Sequence, residues 1–267
     1  MQAIGLCRFS YPAIGGFQVG HESMADRIAY LYAEERLEER FRLFETVALP
    51  CLRAQTDPDF ELIVVIGDSL PAPARARLEA LLEDLPQARV TVQPPRPQRE
   101  VMKELLNTAR QNRKDPCLQF RFDDDDAVAV DFIETLRTAV ADCAAFLPRH
   151  RSVAFDWNKG YNARFGADGI RAAQTFRPFY TAALAMHVRG GCPRTIMNFG
   201  HEKLPQFMPA LSFPDKPMFV RGHNGYNDSR QKGVKPVRLE PVDDEMAAMF
   251  RQRFAIDVEA VKRAFSG

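Results

Sequence analysis

The sequence predicts an α/β domain with a largely parallel central sheet flanked by helices. Up to residue 147, apolar runs of strand length alternate with amphipathic stretches, which is typical of parallel strands joined by helical crossovers. The chain has 267 residues, of which 46% are hydrophobic, and this is enough to build the core of one large domain. After about residue 150, glycine-punctuated turns and loops dominate.

In the first half, strands are predicted where apolar residues run together, at residues 3–9, 60–66, 90–92 and 117–122. Helices are predicted where apolar residues recur at helical spacing, at residues 37–48, 75–85, 100–110 and 131–146. Pro50 is expected to kink or end the first of these helices, because proline lacks an N–H. Asp131 is well placed as a first-turn acid of the last helix.

In the second half, strands are predicted at residues 153–157 and 180–188, with a segment rich in Gly, Asn and Arg between them. Residues 243–265 form an amphipathic helical stretch that we expect to pack on the core. We interpret residues 1–267 as a single domain with two halves, residues 1–147 and residues 148–267. The loop-rich second half is where recognition of a second substrate is expected.

Composition excludes some partners. Lys and Arg total 36 against 35 Asp and Glu, so no overall field attracts nucleic acid. No stretch approaches the roughly 20 apolar residues of a membrane span, which leaves only peripheral contact with a membrane. The five cysteines are scattered without Cys-x-x-Cys spacing, which favours a cytoplasmic protein.

Four adjacent acids, Asp123 to Asp126, directly follow the last predicted strand of the first half. Adjacent carboxylates repel one another unless a cation neutralises them. Because ligands of α/β sheets bind at the carboxyl ends of strands, an Asp-x-Asp pair here can hold Mg²⁺ or Mn²⁺ and leave positions for nucleotide phosphates. Residues two apart share a side of an extended backbone, so only one pair would bind the ion. A solvated acidic turn is the alternative.

Several segments carry a family resemblance. The runs FRLFETVALPCLRAQT (residues 41–56), FRFDDDD (residues 120–126) and VRGHN (residues 220–224), with Gly67-Asp68 after a buried strand, resemble the rhamnosyltransferases of bacteria. That family resembles the wider GT-A class of glycosyltransferases. The resemblance implies a GT-A-like nucleotide-binding half, a metal motif and a more variable acceptor half. It implies rhamnose as the donor sugar only through the family label.

The resemblance implies a metal-dependent enzyme that moves a sugar from a nucleotide-sugar donor to a saccharide, lipid-linked or small hydroxyl acceptor, in the synthesis of surface polysaccharide or glycoconjugate. It favours Asp124 and Asp126 as metal ligands, with Asp124 meeting the ribose or the metal and with Asp123 and Asp124 among the residues that bind the nucleotide. Asp123 and Asp125 would then orient the site or balance its charge. His223 stands on a glycine-flanked loop where the class often has a late metal ligand, and an exposed loop histidine is the alternative.

Two further residues are expected to contact the nucleotide. Arg8 ends the first strand and suits bidentate phosphate recognition, although an arginine there can also be a surface residue. Asp68 follows the second strand, where the class often places an acid against the base. The alternative for Asp68 is a cap of the following helix.

Sugar transfer also needs a base for the acceptor hydroxyl. The candidates are Asp156, His201 and Glu202. Asp156 ends a predicted strand beside Trp157, on which a sugar ring could stack. For Asp156 and Glu202 the alternative is a helix cap or a salt bridge to a nearby lysine.

Two rival functions share this predicted fold. A sugar nucleotidyltransferase would carry a glycine-rich phosphate loop with a basic residue after the first strand. Residues 11–17 (YPAIGGF) contain no lysine or arginine. A non-catalytic nucleotide-sugar binding protein would keep the fold alone, and the complete acid run argues against it.

Overall fold

The structure is a computed structural model, and it describes residues 1–15, 20–180, 182–226 and 237–267. In these ranges the strands are β1 (Gln2–Arg8), β2 (Glu61–Gly67), β3 (Ala88–Gln93), β4 (Cys117–Asp123), β5 (Ala127–Val128), β6 (Ser152–Trp157), β7 (Lys159–Gly166), β8 (Gly169–Phe176), β9 (Leu184–Val188), β10 (Ala210–Phe213), β11 (Phe219–Gly222) and β12 (Glu240–Pro241). The α-helices are α1 (Met24–Leu31), α2 (Glu34–Leu43), α3 (Leu49–Arg53), α4 (Ala72–Leu82), α5 (Gln98–Thr108), α6 (Phe132–Asp142), α7 (Asp244–Phe254) and α8 (Val258–Ser266).

A central sheet has the strand order β10-β6-β9-β4-β1-β2-β3 over the described residues. Strands β3, β2, β1 and β4 are mutually parallel, whereas β9 runs antiparallel to both β4 and β6. The predicted α/β class and largely parallel sheet are therefore confirmed. Strands from both predicted halves share this sheet, since β6, β9 and β10 come from the second half.

The helix predicted at residues 37–48 continues past Pro50. A π-helical turn, Phe44–Ala48, joins α2 to α3, with the Leu49 N–H donating to the Phe44 carbonyl five residues back. An α-helical turn would bring the proline ring against the carbonyl four residues earlier. The wider π turn avoids this clash between ring and carbonyl, so the backbone stays helical through Pro50.

A second sheet has the order β12-β8-β7-β11-β5 among the described residues. Most of the segment predicted as turns between the second-half strands is instead the β7–β8 hairpin, which pairs from Lys159 with Phe176 to Gly166 with Gly169. Its apolar side chains pack under the C-terminal helices, as in the Tyr161–Phe250 ring contact at 5.3 Å. Glycines and arginines in this segment obscure the alternation that a half-buried strand would otherwise show.

The C-terminal stretch forms two helices rather than one. Ala255 is left-handed, with φ 55°, and ends α7. The Asp257 side chain accepts the Ala260 N–H and begins α8. Both helices pack on the core through buried residues, namely Phe250, Phe254 and Val261, which confirms the predicted packing.

None of the helices in the described ranges combines the length and apolarity needed to cross a membrane. The cysteines are present as free thiols, and all except the half-buried Cys143 are buried. The compartment stays a prediction.

Candidate active site

The site lies at the carboxyl edge of the central sheet, where β1, β2 and β4 end together. Arg8 at the end of β1 is in register with Val65 of β2 on one side and with Asp123 of β4 on the other. Asp123 and Arg8 are both half-buried. The sheet therefore places a cation and an anion side by side at the edge where ligands of such sheets bind.

Asp68 follows β2 at the same edge, and its side chain is exposed. Its N–H donates to the Gln93 carbonyl at 3.1 Å, which continues the pairing of β2 with β3 by one residue. Helix α4 begins after Pro71 without a side-chain cap, so the alternative role of Asp68 as a helix cap is not what the structure shows. Its carboxylate helps to raise the pKa of Tyr32 to about 12, an effect dominated by burial of that tyrosine.

The acid run is a turn rather than a continued strand. Strand β4 ends at Asp123, and the Asp126 N–H donates to the Asp123 carbonyl at 3.2 Å. The alternation expected for an extended backbone therefore stops at Asp123. The side chains of Asp124, Asp125 and Asp126 are buried, whereas Asp123 remains half-buried at the edge of the sheet.

Arg40 of α2 neutralises two of these acids. Its guanidinium Nη1 lies 3.0 Å from Asp124 Oδ1 and 2.8 Å from Asp125 Oδ2. The three side chains are only 3%, 10% and 8% exposed, so the ion pairs are shielded from water. Buried charges are tolerated when paired in this way. The acid run predicts a neutralising cation, but the sequence does not identify it as Arg40.

Asp126 is enclosed by the end of β11. Its Oδ1 accepts the Gly222 N–H at 3.0 Å, and its Oδ2 lies 3.6 Å from Nη1 of Arg221. Burial raises the pKa of Asp126 well above its ordinary value, and Arg221 only partly opposes this. A Cβ at position 222 would lie 2.4 Å from the Asp125 carbonyl oxygen, so the close approach requires glycine.

His223 comes directly after the Gly222 contact. Its N–H donates to the Ala163 carbonyl at 2.8 Å, and its ring Nε2 lies 3.5 Å from the Tyr180 hydroxyl. Burial and Arg221 lower the pKa of His223, whereas the charge of Asp125 raises it. The ring is therefore mostly neutral near pH 7, the form in which histidine binds metals.

The predicted metal ligands are Asp124, Asp126 and His223. Within the described ranges, no three His, Cys, Asp or Glu side chains are grouped closely enough to form a metal site. Asp124 and Asp125 are both paired with Arg40, and Asp126 is enclosed by Gly222 and Arg221, so these acids would bind an ion only by giving up those contacts. The predicted ligand set Asp124, Asp126 and His223 therefore stays a prediction.

The three candidate bases have different surroundings. Asp156 is 0% exposed and accepts hydrogen bonds from the Ser212 hydroxyl at 2.6 Å and the Phe179 N–H at 3.0 Å. Its carboxylate thus faces the protein interior. Glu202 has a 60% exposed side chain and pairs with Arg177 at 2.9 Å. His201 is half-buried, and its Nδ1 lies 2.6 Å from the Phe179 carbonyl oxygen.

The pH dependence of stability tests the burial of Asp156. Burial raises the pKa of Asp156 from 3.8 to about 6. A group with a raised pKa stabilises the folded state fully below its unfolded pKa, and this contribution is lost as pH rises through its folded pKa. Relative to Asp156→Asn, which keeps an acceptor for the Phe179 N–H, the parent should therefore lose about 2 kcal/mol of unfolding free energy between about pH 4 and pH 7. Urea unfolding across that range measures the difference, and parallel curves for the two proteins would contradict it.

Sequence comparison places the chain in a family. Residues 2–236 match the family described as "Putative rhamnosyl transferase". The chain belongs to this glycosyltransferase family. The match covers the strands of the central sheet, the acid turn and the late histidine loop, and it ends before α7 and α8. No curated protein matches the sequence.

Solved structures of TarS from S. aureus are similar in fold. Its residues 1–349 alone share 13% identity at a TM-score of 0.43, covering 83% of this chain and 60% of that chain. The complex with UDP shares 15% identity at a TM-score of 0.44, covering 84% and 61%. The complex with UDP-GlcNAc shares 13% identity at a TM-score of 0.44, covering 85% and 60%. The chain thus spans about 60% of the length of these structures, and the likeness is too distant to assign a function.

Proposed function

We propose that the protein transfers a sugar from a nucleoside-diphosphate donor to a hydroxyl acceptor. The observation that supports this most directly is the meeting of Arg8, the acid turn and the end of β11 at the carboxyl edge of the central sheet. Family membership supports the same reaction class. The rhamnosyl part of the family description makes a rhamnose donor the first one to test, and the donor and acceptor stay proposals.

In this reaction the acceptor oxygen bonds to the anomeric carbon while the bond from that carbon to the diphosphate breaks. A base takes the proton of the acceptor hydroxyl, and cations receive the charge that develops on the diphosphate. Arg8 lies at this edge of the sheet, and a guanidinium can bind two phosphate oxygens at once. We assign Asp123, next to Arg8 in register, to the ribose hydroxyls.

The requirement for a divalent ion also stays a proposal. We propose Asp123, Asp125 and His223, around the acid turn, as the alternative residues to hold Mn²⁺ or Mg²⁺; in this structure their side chains are not grouped as a closed metal site. When bound, the ion would supply positive charge to the diphosphate. Because Asp125 is paired with Arg40 in this structure, ion binding would compete with that ion pair.

Calorimetric titration tests donor binding and the metal proposal together. UDP and dTDP are titrated into the protein with Mn²⁺ and, separately, with EDTA. We expect binding of at least one nucleotide that weakens at least tenfold in EDTA. Equal affinity in the two buffers would contradict the metal requirement without contradicting nucleotide binding.

Turnover is then measured as release of nucleoside diphosphate from a panel of donors that includes dTDP-rhamnose and UDP-GlcNAc, with hydroxyl acceptors of each class. We expect acceptor-dependent release from one donor. Nucleotide-sugar binding without release across the panel would instead indicate a non-catalytic binding protein. Formation of a nucleotide sugar from a sugar phosphate and a nucleoside triphosphate would indicate a nucleotidyltransferase.

A further inference from the structure

The backbone of Phe179 is held in an unfavourable conformation by contacts on both sides. Its φ is 56°, in the left-handed region that a bulky residue enters only at an energetic cost. The Phe179 N–H donates to Asp156 Oδ1 at 3.0 Å, and the Phe179 carbonyl lies 2.6 Å from Nδ1 of His201. Such a conformation persists only where the surroundings fix it. Here the fixing contacts join a buried acid to a candidate base.

Asp156 is itself held in place. Strand β10 pairs with β6 so that Ser212 is opposite Asp156, and the Ser212 hydroxyl donates to Asp156 Oδ2 at 2.6 Å. The Asn158 amide donates to the same hydroxyl oxygen at 3.0 Å, which leaves the serine proton for the carboxylate. The Asp156 carboxylate therefore has one fixed orientation, with Oδ1 directed at Phe179.

This arrangement fixes the protonation of the His201 ring. A carbonyl oxygen only accepts hydrogen bonds, so Nδ1 at 2.6 Å from it must carry the hydrogen. Burial lowers the pKa of His201, so the ring is mostly neutral near pH 7 and Nε2 keeps its lone pair. Arg121 of β4 and Arg221 of β11 lower this pKa further, whereas the Phe179 carbonyl and Glu202 raise it.

We propose that Asp156 is a positioning residue that, through the Phe179 backbone, holds His201 as the base for the acceptor hydroxyl. The inference rests on the proposed function of sugar transfer. His201 Nε2 takes the hydroxyl proton, the acceptor oxygen bonds to the anomeric carbon, and the electron pair of the broken bond leaves with the nucleoside diphosphate. The proton on His201 then passes to water. Glu202 is bound to Arg177 and is assigned no proton transfer.

Four variants test the proposal with the donor that turns over. We expect His201→Gln to lower kcat by about 100-fold or more, the usual contribution of a general base. Asp156→Ala should lower kcat by at least about tenfold with the Kd for nucleotide unchanged, because His201 remains present but less well oriented. Asp156→Asn should keep most of the activity, since its side-chain oxygen still accepts the Phe179 N–H. Val153→Ala on the same strand, a buried position outside these contacts, controls for loss of stability and should leave kcat unchanged.

A rescue experiment separates positioning from simple packing. Glycine populates positive φ without an anchor, so Phe179→Gly added to Asp156→Ala should restore kcat by at least about threefold. If the double variant is no faster than Asp156→Ala while Val153→Ala is unaffected, the Phe179 backbone does not transmit the effect and the proposal is overturned. Glu202→Gln serves as the competing variant: loss of turnover there, with His201→Gln active, would move the base to Glu202.

The tautomer of His201 is read directly by ¹⁵N NMR of the histidine rings, with His201→Gln giving the assignment. We expect the Nδ1–H tautomer in the parent and in Asp156→Asn, and a mixture in Asp156→Ala. An Nε2–H tautomer in the parent would overturn the inference whether or not a donor is found. Absence of nucleotide binding in calorimetry, by contrast, would contradict the proposed function. It would not change what the NMR spectrum shows about the His201 tautomer.

Discussion

Replacement of Arg40 by methionine should lower the free energy of unfolding by about 3–5 kcal/mol, because it removes the guanidinium that pairs with the buried carboxylates of both Asp124 and Asp125. The measurement is urea unfolding near pH 7.5. Arg42→Met on the same helix is the matched control. Arg42 pairs with a partly exposed Glu38 one turn away, so its loss should cost less than about 1 kcal/mol.

Similar small losses for both arginine variants would mean that another group neutralises the acid turn. In that event, the expected cation is a bound metal ion, and EDTA should then destabilise the parent protein. This pair of variants therefore also bears on the metal proposal through stability, without an activity assay.

Asp123→Asn should lower kcat/KM for nucleoside diphosphate release by about 100-fold, the size of effect that follows loss of one well-placed electrostatic contact in an active site. The acid is half-buried at the sheet edge next to Arg8, so the substitution should change the melting temperature little.

Asp126→Asn should instead leave turnover largely intact. The asparagine keeps an acceptor for the Gly222 N–H. Burial raises the pKa of Asp126, which means that the charged carboxylate is unfavourable there, so the free energy of unfolding at neutral pH should stay the same or rise without it.

The two aspartate variants distinguish the ligand pair predicted from sequence, Asp124 and Asp126, from the alternative set proposed above. Turnover should fall less than about tenfold in Asp126→Asn if the acid is enclosed, and it should be lost if Asp126 holds the ion. Release of nucleoside diphosphate under saturating Mn²⁺ measures both. Full activity of Asp123→Asn together with an inactive Asp126→Asn would restore the original assignment.

The strands that build the site were predictable from sequence because they are buried on both faces. Strand β2 is a continuous apolar run, and such runs are typical of central strands in parallel sheets. Because Arg8, Asp68 and Asp123 stand at the carboxyl ends of these strands, their location at one edge of the sheet could be predicted as well. The hairpin of β7 and β8 was missed because its glycines and arginines interrupt the alternation on which strand prediction depends.

The partners of the acids were less predictable. Helix α2 is dense in charge. Helical spacing puts Arg40 on the same face as Leu37 and Phe44 and puts Arg42 on the other face, but it does not show that Arg40 meets the acids. Burial depends on which face the second sheet and the acid turn cover, and that is a long-range property. The roles of Asp156 and His201 were open for the same reason. Their link passes through the backbone of Phe179, whose left-handed conformation no local signal indicates.

The π-helical turn at Phe44–Ala48 also sets the angular phase of α2. A π turn contains one residue more than an α turn, and one residue corresponds to about 100° of rotation around a helix axis. Deleting one residue from the turn would restore regular α-helical bonding but rotate everything before it by about that angle relative to α3. Arg36 and Arg40 would then point away from Ser10 and from the acid turn, so the length of this segment, and not only its side chains, is constrained by the charge balance of the site.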